Sequence, residues 1–261
     1  MNLRKSSTYR AEAIVLRRRD LGEADRIVTL FTREHGKRRA VAKSSRRPQS
    51  RLAGHVELFT HADVFLVVGA SLDILSQARA VEVFPSLAED LGRFAMASFA
   101  AEMVDRLTPD AEPDPRLFDL LLEAIRLVAG SDRPSMHLRH FELAALGVLG
   151  YGPHLGSCVV CDGDLAEDEV HFSPRAGGVV CLRCTARTPG VSMSDRALKV
   201  MRWMSSQELG AVSRLRETPG LDAELERLHR AYVAAVLEGD LRSGELLDRI
   251  RPGAGTGAPA G

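Results

Sequence analysis

All four cysteines of this 261-residue chain fall in one pattern: Cys158-Val-Val-Cys161, nineteen intervening residues, then Cys181-Leu-Arg-Cys184. Each C-x2-C pair is a tight knuckle that offers two thiolates to one ion, and two pairs at this spacing complete a tetrahedron. The expectation is one structural Zn2+ on Cys158, Cys161, Cys181 and Cys184. A closed set of four ligands leaves no coordination position for a catalytic water. Gly163, Gly177, Gly178 and Pro174 suit the sharp turns of such a module, and His154 and His171 lie near enough in sequence to be spare ligands. Two disulfides are the competing reading, disfavoured in a reducing compartment. A redox C-x-x-C would need only one pair.

The compartment follows from what surrounds the cysteines. Residues 1–20 hold early basic residues and only a short apolar stretch, Ala11 to Leu16, before Arg17, which is not a signal peptide's hydrophobic region. No run approaches the roughly 18 apolar residues a membrane helix needs. We therefore expect a cytoplasmic, nucleoid-associated protein with no membrane partner. The length predicts two domains plus a smaller module.

Zero net charge conceals a division along the chain. Residues 1–52 carry 15 Lys+Arg against 5 Asp+Glu, and residues 53–261 carry 20 against 30. A basic first fifth calls for a polyanionic partner, and in the cytoplasm nucleic acid is the commonest one. Within it, residues 11–17 and 26–32 read as strands, and Glu34-His35-Gly36 is a turn before a further strand at 37–43. Ser44 to Ser50 is a polar, basic segment with Pro48, expected to be a flexible loop. Strands at 57–68 and 72–83 complete about five, which suggests a small closed barrel of the oligonucleotide-binding (OB) type.

From Pro85 the apolar period lengthens to 3.6. One helix is expected over 86–107, a second from Asp114-Pro115 to Gly130, and a third from Pro134 to Leu149. Another starts at the Ser194 cap and runs through Met204. Leu221, Leu225, Leu228, Tyr232 and Val236 form the stripe of a last one. The fold class is thus multidomain α+β. An OB-fold β-barrel occupies 1–84, an α-helical domain 85–155 and 188–250, and an embedded four-cysteine zinc insertion 156–187. A disordered tail fills 251–261.

An enzyme is not expected. His55-Val56-Glu57 spells the H-x-E of zinc nucleobase deaminases, but serine precedes Cys158, about a hundred residues separate the two, and the fourth cysteine takes the place of water. Neither a phosphate-binding G-x-x-x-x-G-K-[ST] loop nor a G-x-S-x-G elbow is present.

The ordered strings Val15 to Gly54, Leu72 to Leu87, Phe141 to Cys161 and Phe172 to Cys181 together resemble the bacterial recombination mediator family RecO. That resemblance implies an OB barrel, a helical domain and an embedded zinc module. It further implies binding of single- and double-stranded DNA, strand annealing, and recombinase loading with two partners, RecR and the single-strand-binding protein. Residues 108–134 and those beyond about 190 match only as generic helices.

The candidate DNA-binding residues are Arg17, Arg18, Arg19, Arg26, Lys37, Arg38, Arg39, Lys43, Arg46, Arg47 and Arg51. Phosphate contacts from such residues are salt-sensitive and blind to sequence. Single-strand binders of this fold usually add aromatic platforms. Here residues 1–84 hold no Trp and only Tyr9 with Phe31, Phe59, Phe65 and Phe84, some of them strand-core residues by pattern. A charge-rich, aromatic-poor surface suits annealing better than strand sequestration. Two alternatives stay open: an adaptor whose basic module docks an acidic protein, and an RNA-directed barrel. Arg26, beside Asp25 and Glu23, is also placed for a structural ion pair.

Overall fold

The computed structural model describes residues 7–47, 49–165, 170–216, 218 and 220–250. The expected tail at 251–261 lies outside them, as does Pro48. The first part is a closed barrel with strand order β1-β2-β3-β5-β4, from β1 (Thr8–Leu21), β2 (Asp25–Thr32), β3 (Gly36–Ala42), β4 (His61–Val67) and β5 (Asp73–Glu82). All pairings are antiparallel except β3 with β5. That is the OB-type arrangement the sequence predicts.

The run Ala13-Ile14-Val15-Leu16 is apolar without alternation because both faces of β1 are buried. Ala11, Ala13 and Val15 point inward with Val28, Leu30, Ala40, Ala42, Val64, Leu66 and Leu75, while Ile14, Leu16 and Phe31 pack outward against helices. Alanines dominate the interior where five strands close tightly. β1 pairs with β4 over Thr8 to Ile14 and with β2 from Ala13 to Leu21, and a bulge between Val15 and Arg17 shifts the register with β2 just past the last β4 pair.

The predicted strand at 57–68 is shorter than expected. Residues 53–55 form a 3₁₀ turn, Phe59 takes a left-handed φ of 67°, and the ladder begins only at His61. The Phe59 N–H donates to Val15 O, so this residue closes the bulge of β1 rather than extending β4.

The single helix expected over 86–107 is two: α1 (Pro85–Glu89) and α2 (Leu91–Leu107). Asp90 is extended, with ψ 109°, and its side chain accepts from Arg93 N, capping α2 and breaking the run. Next come α3 (Pro115–Gly130), capped by Asp114 on Leu117 N, and α4 (Pro134–Val148). In the cysteine-bearing segment, β6 (Val170–Ser173), β7 (Gly178–Cys181) and β8 (Val191–Met193) form a small sheet in the order β7-β6-β8, with α5 (Leu182–Thr185) after β7. Then follow α6 (Asp195–Met204), capped by Ser194, a 3₁₀ stretch Leu209–Arg214, α7 (Leu221–Val236) and α8 (Arg242–Ile250).

Val170, Phe172, Val179 and Met193 share one core with the helices, and Phe172 meets Tyr232 of α7 edge-on at 5.4 Å. The small sheet is therefore built into the helical part. Barrel and helices are joined at one end. Arg33 donates to Glu12 (2.6 Å) and to both oxygens of Asp119 on α3, with its guanidinium 4.6 Å from the Phe118 ring. His61 Nε2 lies 2.7 Å from Glu12. Burial works against the Glu12 carboxylate, but hydrogen bonds from Arg33 and His61 outweigh it and hold the group below its ordinary value. At the same joint Gly36, with φ 65°, meets the Glu112 backbone so closely that a Cβ would sit 2.2 Å from its oxygen.

Candidate functional site

Paired residues of neighbouring strands face the same side, so register decides where each basic side chain points. Arg17 pairs with Thr29 and Thr29 with Arg39, forming one row across the outer face of β1-β2-β3. The next row is Arg19, Ile27, Val41 and, across the parallel ladder, Ile74. Arg18 and Arg26 belong to the opposite, inward set. The RRR run at 17–19 is thereby split between two surfaces.

The inward pair closes the barrel's mouth. Arg18 and Arg26 both reach Glu57, Arg26 and Arg46 both reach Asp20 at 3.4 Å, and Arg46 also donates to Gly22 O. Arg26 does form structural ion pairs, but with Asp20 and Glu57 rather than with the adjacent Asp25 and Glu23. Lys37 is turned to the helices: its ammonium donates to the backbone oxygens of Asp105 (2.5 Å) and Thr108 (2.8 Å), and its side chain is 11% exposed. Arg17 pairs with Asp105, Arg39 with Asp110, and Arg38 donates to His35 O while lying 5.7 Å from the Tyr9 ring.

Four of the candidates, Arg19, Lys43, Arg47 and Arg51, are exposed and have no carboxylate within ion-pair distance among the described residues. Arg19 lies near the end of β1, and Lys43, Arg47 and Arg51 follow β3, at the end of the barrel where β1 turns into β2. The loop after β3 is tied there to the β1–β2 turn by Ser44 N donating to Asp25 and Arg46 N to Ala24 O, with Ser45 buried. Residues 44–46 of the segment expected to be a flexible loop are thus tied down. β5 begins beside the end of β3, so the β4–β5 turn flanks the same end. The β1–β2 and β4–β5 loops and the strand 2–3 face are where barrels of this type take oligonucleotides.

The aromatic residues avoid that face. Phe31 and Phe59 are buried in the helix-facing core and Phe65 lies on β4 under Arg10. Tyr9 is spent on a hydrogen bond to the buried Asp73; burial first and the Asp73 carboxylate second push its hydroxyl pKa up. What sequence reasoning missed is the aliphatic row and the acidic partners Asp20, Glu57, Asp105 and Asp110. The period-two alternation of β2 and β3 carried the first signal; the second needs tertiary structure.

The four cysteine sulfurs all lie within 4.8 Å of one another, and no other described His, Asp or Glu joins them. Cys161 Sγ and Cys181 Sγ are 3.9 Å apart, far beyond a disulfide bond and close to the ~3.8 Å edge of a tetrahedron with 2.3 Å metal–sulfur bonds. Cys181 ends β7 and Cys184 is in α5; Cys158 and Cys161 flank the first knuckle, whose Asp162 takes a φ of 54°. Gly178 lets that knuckle's strand approach β7: Val179 N donates to His154 O and Val159 N to Val179 O, and a Cβ on Gly178 would be 2.2 Å from His154 O. Burial opposes ionisation of Cys158, but the N–H groups of Cys181, Val160 and Cys161 overcome it and hold the thiol at about 6. Burial and the neighbouring thiols push Cys184 up to about 12. The donor set fits a soft, thiophilic ion.

His154 bonds Ser157 and is not a ligand. His55 accepts from Ala80 N and Glu57 pairs with arginines, so the H-x-E string is structural and does not meet the cysteines.

Fold and site together define an OB-type barrel fused to a helical unit that carries a cluster of four cysteines close enough together to hold a metal ion. Family models for the N-terminal and C-terminal parts of recombination protein O match residues 6–84 and 88–245. The chain is 41% identical to the DNA repair protein RecO of Roseiflexus sp. (strain RS-1), over 98% of this chain and 90% of that protein. It is 41% identical to the RecO of Pelotomaculum thermopropionicum (96% and 98%) and 40% identical to that of Symbiobacterium thermophilum (93% and 98%). This chain belongs to the RecO family. Among the described residues no helix is long and apolar enough to cross a membrane.

Proposed function

We propose that this protein is a non-enzymatic mediator of recombinational DNA repair that binds single- and double-stranded DNA on the barrel and promotes annealing of complementary strands. Family membership supports the repair role. The observation that carries the DNA path is the sorting of the cations: Arg18, Arg26 and Lys37 are consumed by structural partners, while Arg19, Lys43, Arg47 and Arg51 stand exposed together at the loop-bearing end. Arg17, Arg38, Arg39 and Arg46 border that path. Phosphate neutralisation by such groups lowers repulsion between two strands and leaves base edges free to pair.

In this reading RecR and the single-strand-binding protein are the partners through which recombinase is loaded, and the four cysteines hold zinc. The ion would fix the two knuckles and supply folding energy, not chemistry. The deciding experiment is annealing of complementary oligonucleotides coated with the cognate single-strand-binding protein. The wild-type chain should accelerate it, and a folded Arg19/Lys43/Arg47/Arg51 alanine variant should not. Equal acceleration by both would remove this surface from the mechanism. An adaptor that touches DNA only through its partner would leave naked oligonucleotides unshifted when added alone.

A further inference from the structure

Ile27, Val41 and Ile74 form a continuous aliphatic row on the outer face of β2, β3 and β5, and none of them belongs to either buried core. Ile74 is 37% exposed, and Ile27 and Val41 are half-buried. Strand spacing makes the row about 10 Å long, enough for two or three bases. It lies one step, about 6.7 Å, from the Arg17–Thr29–Arg39 row, and Arg19 extends it on β1. Lys43 follows β3 directly and is exposed. Two cations unpaired among the described residues, Arg19 and Lys43, thus stand beside a strip that itself carries no charge and no aromatic ring, and the ion-paired Arg17 and Arg39 lie on its other side.

We infer that this strip is the base-contacting floor of the DNA path. The inference rests on the DNA-binding reading above and adds which groups meet the bases. The unpaired Arg19 guanidinium and Lys43 ammonium beside the strip take the phosphates, and the faces of the bases settle on Ile27, Val41 and Ile74. Charge complementarity selects a polyanion as occupant, and the apolar strip between the charges selects one whose unpaired bases are available, namely single-stranded DNA. A duplex keeps its base faces stacked and gains only the flanking contacts. Aliphatic side chains cover a base without the stacking that an aromatic platform supplies, so each base is held weakly and is released readily to a complementary strand. The strip thereby gives a physical reason for an annealing surface rather than a storage surface.

The test compares a normal single-stranded oligonucleotide with an abasic one of equal length, which keeps every phosphate. The wild-type protein should prefer the normal strand roughly tenfold, the factor that about 55 Å² of apolar surface removed from water supplies. Ile27→Thr, Val41→Thr and Ile74→Thr together keep β-branched residues in the strands, so the fold should survive, as a thermal melt verifies. That variant should lose the preference while its affinity for the abasic strand and its salt slope stay at the wild-type value. Ile74→Trp should tighten normal single strands about tenfold and slow annealing. Equal wild-type affinity for the two oligonucleotides, with a normal salt slope, would overturn the strip while leaving the cationic path intact. Unchanged binding of both by the Arg19/Lys43/Arg47/Arg51 alanine variant would instead remove the underlying reading, and the strip with it.

Discussion

Replacing Arg19, Lys43, Arg47 and Arg51 with alanine separates charge available to DNA from charge already spent inside the protein. Each is exposed and unpaired among the described residues, so no structural partner is orphaned by its loss. If each neutralises one phosphate of a single strand, the log–log dependence of affinity on salt should become shallower by about 0.7 per side chain, about 2.8 in all. Between roughly 50 and 200 mM salt that is a difference of about fiftyfold in how much affinity is lost. Fluorescence anisotropy with a labelled oligonucleotide across a salt series measures it. Lys37→Ala is the internal control: its ammonium serves Asp105 and Thr108, so the slope should barely move while stability falls. A folded quadruple variant with the wild-type slope would show that these four do not touch phosphates. A Lys37→Ala slope reduced by one full phosphate would show that its burial does not keep it from DNA.

Lys37→Ala should itself cost about 3 kcal/mol, because two carbonyls lose their cation and the largely buried Asp105 is left with Arg17 alone; the urea midpoint reads this. Cys158→Ser should abolish stoichiometric zinc in the purified protein and lower the melting temperature of the helical part, since Val170 and Phe172 share its core, while oligonucleotide binding by the barrel persists below the new transition. Gly36→Ala forces a Cβ into the Glu112 backbone at a φ of 65° and should destabilise by at least about 2 kcal/mol, with the loss centred on the barrel–helix joint in hydrogen exchange. Acid should loosen the same protein in two stages. His137 and His140 are held below 6.5 by burial, so their contribution is present above pH 6.5 and fades as pH falls and the unfolded histidines take up protons. Asp119 is held below its usual range by Arg33, and Glu12, despite its burial, by Arg33 and His61, so theirs is present above about pH 4.5 and lost as pH drops through their folded values. A melting temperature flat from about pH 7 to 5 would contradict the histidine assignment, and one flat from about pH 5 to 2.5 would contradict the carboxylate assignment.

The closed barrel, the helices that follow it and the tetrathiolate set were legible in the chain. Turn residues at fixed offsets, the change of apolar period at Pro85, and two C-x-x-C pairs are local signals, and local signals survive without a structure. Asp114, Ser194 and Pro134 mark helix starts for the same reason. The break at Asp90 was hidden because its neighbours on both sides are good helix formers, and only the side-chain cap on Arg93 N shows that the chain turns there. Phe59 reads as a strand residue but is pulled out of the ladder to close a bulge far back along the chain, in β1. The three-stranded sheet around the cysteines is too short and too glycine-rich to announce itself.

Charge divides most clearly between the two levels. Composition and spacing were enough to establish that the first fifth is cationic and that four thiols meet at one point, because neither depends on what packs against what. Which cations remain for a partner was settled by packing alone. Register sent Arg18 inward and Arg19 outward, and the helical domain brought Asp105 to Arg17 and Lys37 from a distant stretch of the chain. A guanidinium is identical in every case; the distance to the nearest carboxylate separates a structural clamp from a group free to bind.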